Sequence, residues 1–158
     1  MPSLSIIWRA AGLTLAMEGA SVAEVLPPVA YRPCPGAPGS VRGLFVYRAR
    51  LIPLVDGARL LGAQPPDDRM MNRVLVVRIG GERRVDWPVG IWVESVLDLC
   101  RVDFASRGSH PGLADPSARF LGPVAESPHG LVQLVRPAEL FTPEQVALIT
   151  GRLNEAAA

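Results

Sequence analysis

From residue 3 onward the chain alternates short apolar runs with polar or glycine-bearing breaks, and few runs hold a helical period for long. Residues 3–9 (SLSIIWR) and 13–17 (LTLAM) flank Ala10-Ala11-Gly12 and read as a hairpin. In residues 19–26 (GASVAEVL), Ser21 stands three positions before Glu24, the spacing of a capping box, which predicts a short helix. Residues 31–40 hold three prolines and two glycines, so they form a rigid extended connector. Residues 44–47 (LFVY) and 51–55 (LIPLV) are strands on either side of a tight turn carrying Arg48 and Arg50. Asp56 then caps a short helix, GARLL, which Gly62 stops.

Beyond a proline-bearing polar loop over 63–72, residues 73–79 and 83–93 form a second hairpin about Gly80-Gly81. The pattern of 94–99 (ESVLDL) predicts a turn or two of helix, and 99–104 is extended again. A long loop over 106–118 leads to two strands, 119–124 and 130–135, which turn through Pro128 and Gly130. A short helix follows over 137–141, and a final helix over 143–153. Thr142 caps that last helix, Pro143 is at N1, Gln145 completes a capping box, and Val146, Ile149 and Leu153 share one face.

The chain echoes itself. Gly43, LIPLV and GARLL have counterparts in Gly122, LVQLV and PAELF, which points to two similar lobes, each a small closed sheet. Composition agrees: 16 prolines and 15 glycines among 158 residues favour short strands and turns over a helical bundle, and 49% hydrophobic residues can fill a core. The fold class is therefore all-β with short helices, in one domain over 1–158. The first lobe is centred on about residues 20–80 and the second on about 81–135.

A net charge of +1 gives no field for nucleic acid, and no run reaches the roughly 18 apolar residues that span a membrane. All 16 basic residues are arginine. The two apolar runs of the first 20 residues are split by Arg9, so a leader peptide is not expected, and the widely spaced Cys34 and Cys100 fit reduced thiols in a cytoplasm. His110 and His129 sit in loops without a nucleophile motif, and Ser109 beside His110 is only adjacency. Asp67-Asp68 and Glu94/Asp98 lack further ligands, so no metal, cofactor or catalytic site is expected. What remains is binding. Arg48 is then either a solvated turn residue or a contact for a partner, and the residues alone leave both open.

The stretch PGAPGSVRGLFVYRARLIPLVDGARLLG resembles the signature of the CheW-like chemosensory adaptors, with Gly36, Pro38, Arg42, Gly43, Arg48, Pro53 and Asp56 in register. SVAEVL is similar to that family's V-x-E-V helix, PVGIWVESVLDL to its G-L-x-V-D-x-V stretch, and the segments RFLGPV and GLVQLVRPAELF to its closing hairpin and helix. The resemblance implies two intertwined SH3-like five-stranded barrels. It also implies a non-catalytic cytoplasmic adaptor that couples the cytoplasmic hairpin tips of chemoreceptors to a CheA-type histidine kinase. It places Val22, Gly43 and Arg48 on the receptor-facing surface between the lobes, with Val93 and Val96 of the second lobe lining the same groove. The competing class is an independent small β-barrel that binds a small ligand or nucleic acid.

Departures from the family pattern fall at the turn, where Tyr47 and Ala49 replace the usual residues of N-L-R-G, and at Gly57 and Glu94. Ala49 is expected to avoid the left-handed backbone that glycine permits, which would reshape the turn. The Tyr-Arg turn with FLGPV and GLVQLV is similar to adaptors of Wsp-type surface-sensing systems. On this reading, Arg48 and Arg50 have no acid in their turn because the acid belongs to another protein.

Overall fold

The computed structural model describes residues 2–79 and 87–148. The N-terminal hairpin pairs β1 (Ser3–Ala10) with β2 (Leu13–Glu18), and Ala11 and Gly12 turn it at φ 54° and 72°. Then come β3 (Val22–Leu26), β4 (Val41–Tyr47), β5 (Arg50–Asp56), α1 (Gly57–Leu60), β6 (Arg73–Ile79), β7 (Trp87–Val93), β8 (Ser95–Val102), β9 (Leu121–Ser127) and β10 (Gly130–Val135). The expected Gly80-Gly81 turn lies outside the described residues, as do Ile149 and Leu153 of the terminal helix. Residues 143–148 are helical, and the reciprocal capping box is present: Gln145 N–H donates to Thr142 Oγ1 at 3.2 Å and Thr142 N–H to Gln145 Oε1 at 2.9 Å.

Two predicted helices are strands. Residues 22–26 pair antiparallel with β6, after a single 3-10 turn at Gly19–Ser21, so Ser21 caps nothing. Ser95–Val102 pairs antiparallel with β1, Val96 opposite Trp8 and Leu99 opposite Ile6. Each segment adds the edge strand beside β6 or β1, whose other side is already paired, and that ladder outweighs a local cap worth about 1 kcal/mol.

The strands form two five-stranded sheets, ordered β3-β6-β7-β5-β4 and β8-β1-β2-β10-β9. They are built alike. In each, three antiparallel pairings flank one parallel pairing, β5 with β7 and β10 with β2. In each, the hairpin at one edge of the sheet, β4–β5 or β9–β10, is followed by a short helical turn, α1 or Pro137–Glu139, which is the echo seen in the sequence. The lobes interleave along the chain: the first sheet is drawn from residues 22–93, and the second combines the N-terminal hairpin with residues 95–135.

Burial follows the two-residue strand period. Val74 and Val76 of β6 join Phe45, Ile52, Leu54 and Trp92 inside the first lobe. Leu75, Val77 and Ile79 turn the other way, onto a shared core with Val89, Ile91, Trp8, Leu15 and Met17. Ile7, Ala16, Val102, Ala125 and Val132 fill the second lobe. Each buried aliphatic side chain contributes about 1.5–3 kcal/mol, and because most of the largest belong to the shared core, neither lobe is complete without the other.

Arg42 and Asp56 tie the start of β4 to the end of β5. They form a side-chain ion pair between Arg42 Nε and Asp56 Oδ2, with side-chain exposures of only 6% and 1%. Asp56 Oδ1 also accepts from Arg59 N–H at 3.0 Å, the predicted helix cap, so this carboxylate does two jobs. Arg42 Nη1 reaches Asp68 at 3.0 Å, and its guanidinium carbon lies 4.5 Å from the Trp92 ring centroid. Burial works against the Arg42 charge, but hydrogen bonds to Asp68 and Asp56 and the Asp56 charge outweigh it and raise its pKa above the ordinary arginine value.

Candidate functional site

β3 and β4 are the two edges of the first sheet, and side chains join them. The Tyr47 hydroxyl donates to Glu24 Oε2 at 2.7 Å, and Arg48 Nη2 donates to the same oxygen at 3.3 Å. The hydrogen bond to Glu24, aided by desolvation, raises the Tyr47 pKa above its usual range. Arg48 therefore has an acid within this chain, contrary to the expectation that only a partner supplies one. The acid comes from the opposite sheet edge, 24 residues earlier. The pair is weak: its side chains are 75% and 38% exposed, and such pairs contribute about 0–1 kcal/mol.

The turn itself is strained. Tyr47 pairs with Arg50, and the two residues between them, Arg48 and Ala49, have φ of 48° and 63°. A two-residue hairpin loop favours this type I′ geometry because it matches the strand twist, and Asn-Gly is its usual sequence. Ala49 thus adopts the left-handed backbone it was expected to avoid, since tight pairing on both sides dictates it. Each non-glycine residue held there costs on the order of 1 kcal/mol or more, and such outliers concentrate at functional sites. Arg48 is held over the Tyr47 ring at 5.4 Å and Arg50 over the Trp87 ring at 4.5 Å.

The other expected site residues separate into surface and support. Val22, paired with Val77, and Val96, paired with Trp8, are half-buried and pack on the same shared core. Val93 is only 1% exposed and belongs to that core, so its side chain is packed inside and not on the surface. Gly43 is also buried: a Cβ there would lie 2.0 Å from the Arg32 carbonyl oxygen, where Arg32 and Leu44 exchange two backbone hydrogen bonds of 2.9 Å. Glycine there permits the close backbone approach.

The second lobe repeats the edge-to-edge latch. His129, in the β9–β10 turn, places Nε2 2.9 Å from Asp98 Oδ2 on β8. That contact, with Leu99 N–H donating at 2.7 Å, holds the Asp98 carboxyl below the usual carboxylate range. Reading the sequence linearly missed Glu24 and this pair. A usable signal was present: Ser21-Val22-Ala23-Glu24-Val25 recurs as Ser95-Val96-Leu97-Asp98-Leu99.

The remaining polar candidates are occupied locally. His110 Nδ1 accepts from Gly112 N–H at 3.0 Å, and Ser109 Oγ donates to the Ser106 carbonyl at 2.7 Å. Among the described residues no group of three or more metal-ligating side chains converges.

The CheW-like domain family model matches residues 5–145. The scaffolding protein TtCheW from Thermoanaerobacter tengcongensis has a similar crystal structure, with a TM-score of 0.76 at 19% identity over 92% of this chain and 96% of that one. A search of curated proteins found no match. With most of its length matched and both lobes in place, the chain belongs to the CheW-like domain family of non-catalytic chemosensory adaptors.

Proposed function

We propose that this adaptor couples the cytoplasmic hairpin tips of chemoreceptors to the regulatory domain of a CheA-type histidine kinase, in the cytoplasm at membrane-associated receptor arrays. Arg48, with the half-buried Val22 and Val96, faces the receptor. The observation that carries this reading is the Arg48–Glu24 contact on a strained turn. The fold holds a guanidinium at a fixed place but pairs it weakly, so exchanging Glu24 for a better-desolvated partner carboxylate costs little. The Tyr47-Arg48 turn with FLGPV and GLVQLV favours a Wsp-type surface-sensing array.

The test is pull-down by a receptor tip and, separately, by a kinase regulatory domain. Arg48→Glu is expected to abolish receptor binding, since stranding one member of a buried interfacial charge pair costs about 2–5 kcal/mol. Thermal stability should move by no more than about 1 kcal/mol, the ceiling for the exposed pair it loses. Arg50→Glu, which stacks on Trp87 instead, should be milder. Unchanged receptor binding by the Arg48 variant would remove that residue from the interface, and failure of wild type to bind either protein would refute the adaptor reading in this form.

A further inference from the structure

β7 ends at Val93 and β8 begins at Ser95, so the chain passes from the first sheet to the second through one residue, Glu94. Its backbone is held from both sides. Glu94 N–H donates to the Arg9 carbonyl of β1, in the second sheet, at 2.9 Å. Its own carbonyl accepts from Asn72 Nδ2, just before β6 of the first sheet, at 3.0 Å. The β6–β7 ladder ends at the pair Arg73–Val93, which puts Asn72 opposite Glu94. The side-chain amide thus makes the rung that the backbone ladder no longer supplies.

Asn72 is 3% exposed and firmly held. Its Oδ1 accepts from Arg69 N–H at 2.6 Å, its N–H donates to the Arg69 carbonyl at 3.0 Å, and its carbonyl accepts from Arg73 Nη1 at 2.7 Å. These bonds also specify the amide. One end must accept from Arg69 and the other must donate to Glu94, which neither a carboxylate nor an apolar side chain can do. The core shared by the lobes is apolar and non-directional, whereas a satisfied buried hydrogen bond fixes register.

We propose that Asn72 is a positioning residue: by holding Glu94 it sets where the start of β8, with the half-buried Val96, lies relative to Arg48 of the first lobe. Its effect on binding rests on the reading that a receptor tip meets Arg48 and Val96 together. The experiment follows amide hydrogen exchange and receptor-tip affinity on the full chain, at a temperature where circular dichroism shows each variant folded. A fully folded variant keeps its whole competent population, so lost stability by itself leaves affinity unchanged.

Asn72→Asp keeps the acceptor for Arg69 and loses only the donor to Glu94; Asn72→Ala replaces it if the buried carboxylate prevents folding. Either variant should speed exchange of the Glu94 amide about tenfold, the share of one buried hydrogen bond, and weaken tip binding by a similar factor, with β9–β10 amides unchanged. Arg73→Met frees the same turn but keeps the Asn72–Glu94 bond, so it should bind the tip as wild type does. Unchanged Glu94 exchange, equal acceleration along every strand, or full tip affinity once Glu94 is freed would overturn the proposal, as would an equal loss from Arg73→Met. Failure of wild type to bind the tip falls on the receptor reading; Glu94 exchange then decides the role of Asn72 by itself, upheld if the amide is freed and overturned if it is not.

Discussion

Replacing Asp56 by asparagine tests whether the buried Arg42–Asp56 pair holds the first lobe together. Asparagine keeps the shape and the oxygen that accepts from Arg59 N–H, so the helix cap survives and only the charge is lost. Arg42 is then left 6% exposed with Asp68 as its remaining acid, and the Asp68 side chain is itself 55% exposed and well solvated. Removing one member of a buried ion pair costs about 3–5 kcal/mol, because the stranded charge stays desolvated. At about 2–4 °C per kcal/mol for a domain of this size, the melting temperature should fall by about 6–20 °C. The assay is urea and thermal unfolding followed by circular dichroism, with Arg42→Met and the double variant completing a cycle. The double variant should be more stable than Asp56→Asn by at least about 1 kcal/mol, since it removes the stranded charge. A loss under about 1 kcal/mol for Asp56→Asn, or additive losses in the double variant, would show that the pair is not a coupled unit.

Three further outcomes follow from the geometry. Ala49→Gly should stabilise the fold by about 0.5–1 kcal/mol in chemical unfolding, because relief of about 1–2 kcal/mol of left-handed strain exceeds the added freedom of the unfolded chain. Gly43→Ala should destabilise it by about 1–3 kcal/mol and expose the Leu44 amide to hydrogen exchange, because the new Cβ must displace the Arg32 backbone. The lowered pKa of Asp98 makes the carboxylate's contribution to stability full above the ordinary value of 3.8 and lost as pH falls through the lower folded value; His129→Gln should move the Asp98 titration midpoint upward, read from its carboxyl resonance by NMR.

What the sequence disclosed and what it hid divide along a physical line. The β4–β5 hairpin, the Asp56 cap and the Thr142–Gln145 box were legible because each is settled by residues a few positions apart. The segment 21–25 was misread because its Ser-x-x-Glu spacing is also a helix start, and only the presence of β6 decides against it. Glu24 was missed as the Arg48 partner for the same reason: it lies across a sheet edge whose position depends on the whole lobe. Arg42 and Asp56 stand out in the sequence as motif residues, yet their pairing depends on the hairpin register, in which Val41 faces Val55 across a bulge before Gly43.

The repeat would have corrected these misreadings. Aligning the lobes places Glu24 with Asp98, and both basic partners, Arg48 and His129, fall in the two-residue loop of the matching hairpin, one position apart. Each lobe therefore closes by an acid on one edge strand meeting a cation on the opposite hairpin tip. The two copies have diverged in chemistry: the first latch uses a guanidinium and the second an imidazole. They have diverged in backbone as well, because the second tip uses Gly130 at φ 86° where the first tolerates Arg48 and Ala49 in strained conformations. Strain persists where surrounding structure or selection holds it. That the first tip keeps its strain, while the second places its positive φ on a glycine, fits the proposal that the first lobe's latch meets the receptor and the second's only closes a barrel.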